Sequence, residues 1–406
     1  MSNTIAVIDM VAKEALAIAH EKATFISTIN RDFDETFTSK GNGSIGATLR
    51  VREPNMYTRR QGSRVMNVQD TTEITQTITM ATQDGVDMRF NSAELTTDLD
   101  GFNEFSKRHI QPAISSLISG IDSDCITTAT KQTYNLVGTA GTVVGASDIT
   151  ALGQARAKLN QGLAPKDNRS LQLDSTTMAA IVNKNLAIFS PGAQVSEAFA
   201  EGFYSRSAMA DFYENERTYT HTGGSDHTTV TVATTHLAAD GGTTLTIVNG
   251  VGTVGDIFTV AGVYACHPET KISTGALQQF TVLTVVGSVA FTVSPTMYWT
   301  GARTNMVTAT SGTVATTTFD SNPVVTMFGA DSGVYRQNLM YNKDAFTFVT
   351  AALPNMGGEC TFIKKDGIGL RVWKMPDIRN DEMLMRVDIL WGFKTLRPAW
   401  ACRVSN

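Results

Sequence analysis

The spacing of apolar residues predicts one long amphipathic helix over Phe102–Tyr134. Apolar side chains recur there mostly every three or four residues, which places them on one face of a helix. About 28 helical residues would span roughly 42 Å at 1.5 Å per residue, so we expect a spine along an extended body. Asp98 and Asp100 are candidate N-caps. The predicted apolar face consists of Phe102, Phe105, Ile110, Ala113, Ile114, Leu117, Ile118, Ile121, Cys125 and Ala129.

Pro112 interrupts this pattern, because proline removes a backbone donor and kinks or divides a helix. Two ordinary core helices that meet near Pro112 are therefore the alternative to a single spine. Helical spacing also predicts an N-terminal helix over Ile5–His20, which packs on its own domain or lies as an arm on a neighbour. Farther along the chain we expect helices at Asp148–Asn160, Ser175–Ala187 and Ala193–Ala210, and a short buried strand at Arg169–Leu173.

Alternating residues predict a long hairpin before the spine, with strands at Ala47–Val51 and Glu73–Met80. The connection Arg52–Asp70 is long enough to be either functional or mobile. We expect it to be a solvated or subunit-contacting loop, with nucleic-acid binding as the alternative. Asp84-Gly85 predicts a tight turn that leads into a strand at Val86–Phe90. The candidate inter-subunit contacts are Arg52, Arg59, Arg60 and Arg64.

The composition changes sharply after Thr218. Up to Phe319 only six residues are charged, and short runs of Val, Thr, Ile and Phe alternate with glycine-bearing turns. This pattern is typical of a small all-β barrel or sandwich, inserted between helix-bearing and mixed sequence. The later segments are expected to complete the sheets that began before the insertion, and they are Val325–Phe328, Ala345–Thr350, Gly369–Trp373 and Met385–Phe393.

Charge and cysteine content narrow the functional classes. The 406 residues carry a formal net charge of -5, so no basic field covers the whole chain for binding DNA or an anionic membrane. No apolar run reaches membrane-spanning length, and charged residues within the N-terminal apolar stretch argue against a secretory signal. Four widely spaced cysteines form no CxxC and indicate small buried residues in a reducing compartment. We therefore expect a soluble intracellular protein.

No arrangement of residues predicts catalysis or a cofactor. His221, His227 and His236 lie near Asp226, but strand-end histidines are more often ordinary polar residues than metal ligands. Cys266-His267 lacks a partner base, and adjacent strand residues point to opposite faces. The sequence therefore predicts no catalytic, cofactor-binding or metal site.

Several stretches, in order, resemble the P-22-type major capsid (coat) proteins of tailed bacteriophages. The most specific is GDIFTVAGVYACHPETKISTGALQQFTV, which begins at Gly255. The strand-to-spine run Gly85–Asp122, with its Lys/Arg-X-Ile-X-Pro-Ala core, is similar to the family as well. The other matching stretches are INRDFD at Ile29–Asp34, GATLRVREP at Gly46–Pro54, ARAKLNQGLAPKDNRSLQL at Ala155–Leu173, YTHTG at Tyr219–Gly223 and DILWGFKTLRP at Asp388–Pro398.

The resemblance implies an α+β Hong Kong 97-type phage capsid fold with an inserted all-β barrel domain. The implied parts are an N-terminal arm at 1–40, an extended loop at 41–85, a peripheral domain with the spine helix at 86–135, and the first part of an axial domain at 136–217. The inserted barrel would occupy 218–322, and residues 323–406 would complete the axial and peripheral domains.

The implied function is a major capsid protein of the virion. It would assemble with itself, as hexamers and pentamers, on a scaffolding protein and around a portal protein in the host bacterial cytoplasm. The shell would expand as it matures, enclose double-stranded DNA without sequence-specific binding, involve no membrane, and could carry a decoration protein. A host- or glycan-binding surface protein is the alternative, for which Tyr264, Tyr298 and Trp299 are the candidate aromatic residues. A soluble enzyme would need a site that the sequence does not show.

Overall fold

A computed structural model describes the chain at residues 12–19, 23–32, 48–62, 64–66, 68–70, 73–91, 109–145, 150–188, 206–207, 209–227, 230–233, 240–248, 250–287, 290–308, 323–355, 357, 359–365 and 367–406. The chain divides into two compact units. Unit 1 comprises Met1–Val51, Thr75–Cys125 and Phe346–Leu396, and unit 2 comprises Arg52–Ile74, Ile126–Ala345 and Arg397–Asn406.

Four of the described helical segments lie within or close to predicted helices, whereas the helix at Thr24–Thr28 was not predicted. Residues 12–19 are helical. The helices after them are α1 (Thr24–Thr28), α2 (Gln111–Gln132), α3 (Thr150–Gln161) and α4 (Ser175–Ile188).

α2 contains the second part of the predicted spine and buries its apolar face, including Ile114, Ile118 and Ile121. Pro112 is the second residue of α2, and residues 109–110 directly before α2 are π-helical. The change from π-helical to α-helical backbone therefore lies next to this proline, which lacks a backbone donor. The first part of the predicted spine, with its candidate caps Asp98 and Asp100, lies outside the described residues.

The strands are, in chain order, β1 (Thr48–Arg52), β2 (Thr75–Thr79), β3 (Thr82–Asn91), β4 (Leu136–Gly138), β5 (Arg169–Leu173), β6 (Arg206–Ser207), β7 (Ala210–Glu214), β8 (Tyr219–Thr222), β9 (Thr231–Val232), β10 (Gly242–Val248), β11 (Ile257–Cys266), β12 (Ser273–Val286), β13 (Ala290–Met297), β14 (Met306–Val307), β15 (Val325–Met327), β16 (Val334–Asn342), β17 (Phe346–Ala351), β18 (Glu359–Lys365), β19 (Ile368–Asp377), β20 (Glu382–Thr395) and β21 (Ala401–Ser405).

Unit 1 is built on a five-stranded sheet with the order β17-β20-β19-β18, in which β3 also pairs with β20. Phe25 packs against Phe346 and Phe393 in its core, with ring centroids 5.9 and 6.3 Å away. The predicted hairpin strands pair as β1 and β2. The tight turn predicted at Asp84-Gly85 is wrong, because both residues lie within β3 and Gly85 is opposite Asp388 in the ladder.

The sheet of unit 2 that contains the C-terminal strand has the order β4-β21-β16-β5-β7-β6, and β8 also pairs with β16. α3 and α4 contribute Leu152, Leu159 and Ile181 to its buried core. The helix predicted at Ala193–Ala210 is wrong in its described part, since β6 and the start of β7 are strands there. Short-range β pairing between these two strands overrides the helix-favouring composition.

A second sheet of unit 2 is formed by the strands from β9 to β15, in the order β14-β11-β12-β13-β10-β9 with β15 on β11. Its inward-facing side chains form a core that includes Phe258, Phe280 and Phe291. A bridge from Thr231 to Val324, directly before β15, joins this end back to β9, so the strand pairs form a closed circuit. The predicted strand at Val325–Phe328 therefore joins this sheet, whereas we expected it to complete an earlier one.

Candidate assembly surface and an adjacent cavity

Of the four predicted contact arginines, Arg52 is the last residue of β1 and Arg59, Arg60 and Arg64 lie on the segment between β1 and β2; all four are exposed. Arg52 Nε is 3.6 Å from the carboxylate of Glu73, across the base of the segment. Arg59 donates a hydrogen bond to Gln61, and Arg60 donates one to the backbone carbonyl of Val65. The segment thus holds its arginines at the surface, where their charge can meet a partner.

The same segment exposes apolar side chains that the sequence analysis did not single out. Met56 and Tyr57 are 49% and 58% exposed, and three further apolar residues are 75–77% exposed. Met, Tyr and Arg are the residue types that protein interfaces favour, and contiguous exposed apolar surface marks interaction sites. We call Met56, Tyr57, Val65, Met66 and Val68 the loop patch.

A cavity of about 450 Å³ lies within unit 2. Its walls come from the base of the β1–β2 segment, the end of α3, β12 and the turn before β21. Four cationic side chains line it, whereas Glu53 is its single acidic lining residue among the described residues. We call it the cationic cavity, and its basic residues are Lys158, Lys271, Arg303 and Arg397.

The positive groups of this cavity are incompletely neutralised. Arg303 Nη1 lies 3.4 Å from the Glu53 carboxylate, while its Nη2 is buried without a hydrogen-bond partner in the described part of the chain. Burial lowers the pKa of the Lys158 and Lys271 ammonium groups, because it removes water from them. The Arg397 guanidinium stacks on the Trp400 ring, 4.0 Å from its centroid. An anionic group would therefore be favoured in this cavity.

His221 and His227 converge on Asp256, which the sequence analysis did not connect with them. His221 Nε2 is 2.6 Å from Asp256 Oδ1, and His227 Nε2 is 3.4 Å from Oδ2. Tyr219 lies beside this group, its hydroxyl 3.2 Å from His221 Nδ1. The three side chains come from separate segments of unit 2, which their contacts hold together. We call His221, Asp256 and His227 the histidine–aspartate joint.

The surroundings of Asp256 favour its charged form. Burial alone would raise the pKa of this carboxyl, but hydrogen bonds from His221, His227 and the Thr253 backbone outweigh it, so the pKa is lowered. Burial lowers the pKa of His227, but Asp256, the Gly329 carbonyl and Asp331 together raise it by more, so the net shift is upward. His236 lies outside the described residues, and the described part of the chain contains no group that could hold a metal ion.

The Cys266-His267 pair and Trp299, which the sequence analysis singled out, both make contacts inside unit 2. The thiol of Cys266 contacts the backbone carbonyl of His267, whose Nδ1 accepts from the N–H groups of Glu269 and Thr270. All four cysteines are free thiols. Trp299 is buried in the core of the β9–β15 sheet, so it cannot form an exposed aromatic platform for a glycan.

Arg403 forms an extended set of buried hydrogen bonds inside unit 2, and the sequence analysis did not single it out. Its guanidinium is fully buried, and neutral acceptors surround it. The closest of these acceptors are the Gly255 and Thr133 carbonyls, at 2.6 and 2.7 Å. Burial lowers its pKa to about 9. The guanidinium also donates to the Lys131 carbonyl, Thr281 and Gln337, so it joins β21 to the end of α2, to the start of β11, to β12 and to β16.

No described helix combines the length and hydropathy needed to cross a membrane. In comparison with known proteins, the family model for the P22 coat protein (gene protein 5) matches residues 103–402. No curated protein sequence matches the chain. The family match covers well over half of the chain.

Three of the solved structures that are similar to this chain come from phages. A Mycobacterium phage Che8 structure is 9% identical, covers 94% of this chain and 90% of its own, and has a TM-score of 0.47. The capsid structure of Cyanophage P-SCSP1u is 13% identical, with coverages of 88% and 83% and a TM-score of 0.45. The bacteriophage PhiM1 mature capsid is 12% identical, with coverages of 89% and 82% and a TM-score of 0.45.

Proposed function

The chain belongs to the P22 coat protein family and is a major capsid protein, a structural component of the virion that forms a shell of itself, and we propose that it contacts neighbouring subunits through the segment between β1 and β2. The observation that carries this proposal is the loop patch with its surrounding arginines. Exposed apolar side chains gain free energy when a partner covers them, and arginines can pair with carboxylates at the rim of such a contact.

Arg52, Arg59, Arg60 and Arg64 are proposed to pair with carboxylates of the adjacent subunit. Each exposed ion pair contributes little, roughly 0–1 kcal/mol, but symmetry repeats it around the whole shell. The loop patch adds an apolar contribution that is insensitive to salt. The two kinds of contact together would fix the orientation of neighbouring subunits.

The proposed architecture is the Hong Kong 97-type capsid fold with an inserted barrel. The closed circuit of strand pairs from β9 to β15 and its separate hydrophobic core support the barrel. The proposed parts are the arm at 1–40, the extended loop at 41–85, the peripheral domain at 86–135, the axial domain at 136–217, the barrel at 218–322 and the remainder at 323–406. β15 follows this barrel range directly and adds one more strand to the same sheet.

The proposed assembly sequence begins with hexamers and pentamers that form a procapsid on a scaffolding protein, around a portal protein, in the host cytoplasm. The procapsid would expand as double-stranded DNA enters. The net charge of -5 supports enclosure without tight binding, because a negatively charged wall does not hold the phosphate backbone. A decoration protein on the outer surface remains part of the proposal.

Reversal of the loop charges tests this contact. The double variant Arg59→Glu/Arg60→Glu should reduce the yield of closed shells at least tenfold in sedimentation and negative-stain microscopy, because it places negative charge against the proposed carboxylates. Arg59→Lys/Arg60→Lys retains the charge and should assemble nearly as well as the parent. Arg156→Glu/Lys166→Glu makes the same change in net charge at exposed positions outside the segment. Unchanged assembly of the Arg59→Glu/Arg60→Glu variant would disprove the contact.

A further inference from the structure

The turn between β19 and β20 exposes an apolar side chain almost completely. Ile378 is 97% exposed, more than any other large apolar residue in the described part of the chain. Met375 and Leu384, on the two flanking strands, are 53% and 44% exposed. Covering these three side chains with a partner would gain free energy roughly in proportion to the apolar area removed from water. We call Met375–Leu384 the hairpin tip.

Hydrogen bonds within the hairpin tip hold it in one conformation. Asp377 Oδ1 accepts from the Arg379 N–H at 2.9 Å, and its Oδ2 accepts from the Asn380 side chain at 2.8 Å. Asp377 directly precedes Ile378 and Arg379 directly follows it, with Asp381 and Glu382 beyond, so three acidic residues and one basic residue lie near the exposed side chain. Asp377 and Asp381 lie within four residues of the exposed apolar side chain, and the local charge around it is mainly negative.

The cationic cavity has the complementary properties. Its basic residues outnumber its single carboxylate, and Arg303 Nη2 is a buried donor without a hydrogen-bond partner in the described residues. Leu277, Tyr298 and Trp400 supply apolar wall. A volume of about 450 Å³ lies in the range of pockets that bury a ligand with several side-chain-sized groups. The cavity therefore suits an apolar group flanked by carboxylates.

We propose that the hairpin tip of one subunit inserts Ile378 into the cationic cavity of a second copy of this chain. Asp377 and Asp381 then face Lys158 and Arg397 at the cavity rim. This inference rests on the proposed function, because it needs an assembly of identical subunits. Tip and cavity are different surfaces, so the contact is heterologous, the kind that closes into rings when the rotation permits. Pentamers and hexamers are such rings.

Disulfide trapping between two chains that each carry one introduced cysteine tests the insertion. The parent is Cys266→Ser/Cys360→Ser, because Cys360 is the only one of the four thiols that is not buried and Cys266 lines the cationic cavity. One chain then carries Ile378→Cys and the other Leu277→Cys, which lines the cavity and is 37% exposed. After mixed assembly and mild oxidation with diamide, we expect a linked dimer on a non-reducing gel. Each chain assembled alone should give no dimer, because a link then needs two identical surfaces to meet.

The same samples separate this inference from the proposed function. Shells without a linked dimer in the mixture would overturn the insertion and leave capsid assembly intact. A dimer from Ile378→Cys chains alone would place two tips together and would also overturn it. Failure of both the unmodified chain and the Cys266→Ser/Cys360→Ser parent to form any shell would contradict the function on which the inference rests.

A charge-based variant gives an independent measurement. Ile378→Lys should reduce shell yield at least tenfold, because it places a further positive charge against the basic residues of the cationic cavity. Val334→Lys introduces the same charge at another exposed apolar position, 63% exposed on β16, and should have a smaller effect. Equal yields from the two variants would overturn the insertion.

Discussion

Asp256 connects segments of unit 2 that are far apart in sequence, and it does so with a single carboxylate. It accepts from the backbone N–H groups of Thr253 and Gly224, at 2.6 and 3.2 Å, in addition to its contacts with His221 and His227. A buried carboxylate is tolerated only when donors surround it in this way. The histidine–aspartate joint therefore depends on the charge of this one residue.

Asp256→Asn should destabilise the joint by about 3 kcal/mol, because it removes the charge that two histidines and two backbone groups share. Amide hydrogen exchange can measure this locally, with faster exchange expected in β8 and at the start of β11. The strands of unit 1 provide the internal control. Equal protection of β8 in variant and parent would show that the carboxylate does not stabilise the joint.

The stability of the histidine–aspartate joint should also depend on pH, and the pKa shifts of its residues give the direction of the change. The raised pKa of His227 means that its contribution is fully present below about pH 6.5, its ordinary value, and is lost as the pH rises through the raised value. The lowered pKa of Asp256 gives stability above about pH 3.9, which is lost on acidification. His227→Gln should therefore weaken hydrogen-exchange protection more at pH 6 than at pH 9, once intrinsic exchange rates are taken into account. An equal loss at both values would contradict the shift.

The sequence contained these residues but not their pairing. His221 and His227 are close to Asp226 in sequence, so local spacing favoured the wrong carboxylate, whereas Asp256 directly precedes β11 and is 35 residues away from His221. Long-range pairing of this kind follows from the sheet topology, which residue spacing does not contain. Arg403 was missed for the same reason, because its acceptors come from elements spread over the chain.

At the scale of elements, β3 shows how tertiary packing overrides a local signal. Asp84-Gly85 has the composition of a turn, yet glycine is used there because β20 lies very close. A Cβ on Gly85 would lie 2.5 Å from Asp388 Oδ1 and 3.0 Å from the Val387 carbonyl. Arg371 and Arg386 both bind the Asp388 carboxylate, so it cannot easily move aside.

Gly85→Ala should therefore lower the free energy of unfolding by about 2–3 kcal/mol through steric overlap. Gly120→Ala is the matched control, because Gly120 lies inside α2 with nothing within 4 Å of its Cβ position. That control should raise helix stability by roughly 0.5–1 kcal/mol. Thermal unfolding of both variants measures the difference, and a Gly85→Ala protein as stable as the parent would exclude the close approach.

α1 depends on a side chain from a different helix. The N–H groups of Phe25 and Ile26, at the start of α1, donate to Asp122 Oδ1 on α2 at 2.9 and 3.0 Å. Asp122→Ala should lower the free energy of unfolding by about 1–2 kcal/mol, which is typical of a lost helix cap. Hydrogen exchange at Phe25 and Ile26 should become faster. Asp122→Asn keeps an acceptor at the same place and should cost less. Equal exchange in the alanine variant and the parent would show that Asp122 does not cap α1.

Periodic elements were predictable from the sequence, and elements defined by their partners were not. The periodicity correctly predicted α3, α4 and the buried strand β5, because each carries its apolar pattern in its own residues. β15 and β7 pair with strands from other parts of the chain, and this pairing decides their place. The loop patch was missed because exposure is a property of the folded surface.

At the scale of the whole molecule, net charge gives a prediction about DNA. With a formal charge of -5, the unassembled chain should form no complex with double-stranded DNA below about 10 μM protein at 150 mM salt in a mobility-shift experiment. A fourfold variant with Arg52→Glu, Arg59→Glu, Arg60→Glu and Arg64→Glu should behave identically. Binding by the parent that this variant loses would instead assign the segment between β1 and β2 to the genome.

The connections of Arg403 have a consequence for how each subunit is made. Thr133 and Arg403 are bonded although 270 residues separate them. At roughly 5–20 residues per second of synthesis, about 10–50 s pass between the emergence of α2 from the ribosome and the arrival of its partner strand β21. The β9–β15 sheet, whose strands are neighbours in sequence, can close during this wait. We therefore expect the buried contacts of Arg403 with the end of α2 to form only when synthesis is nearly complete.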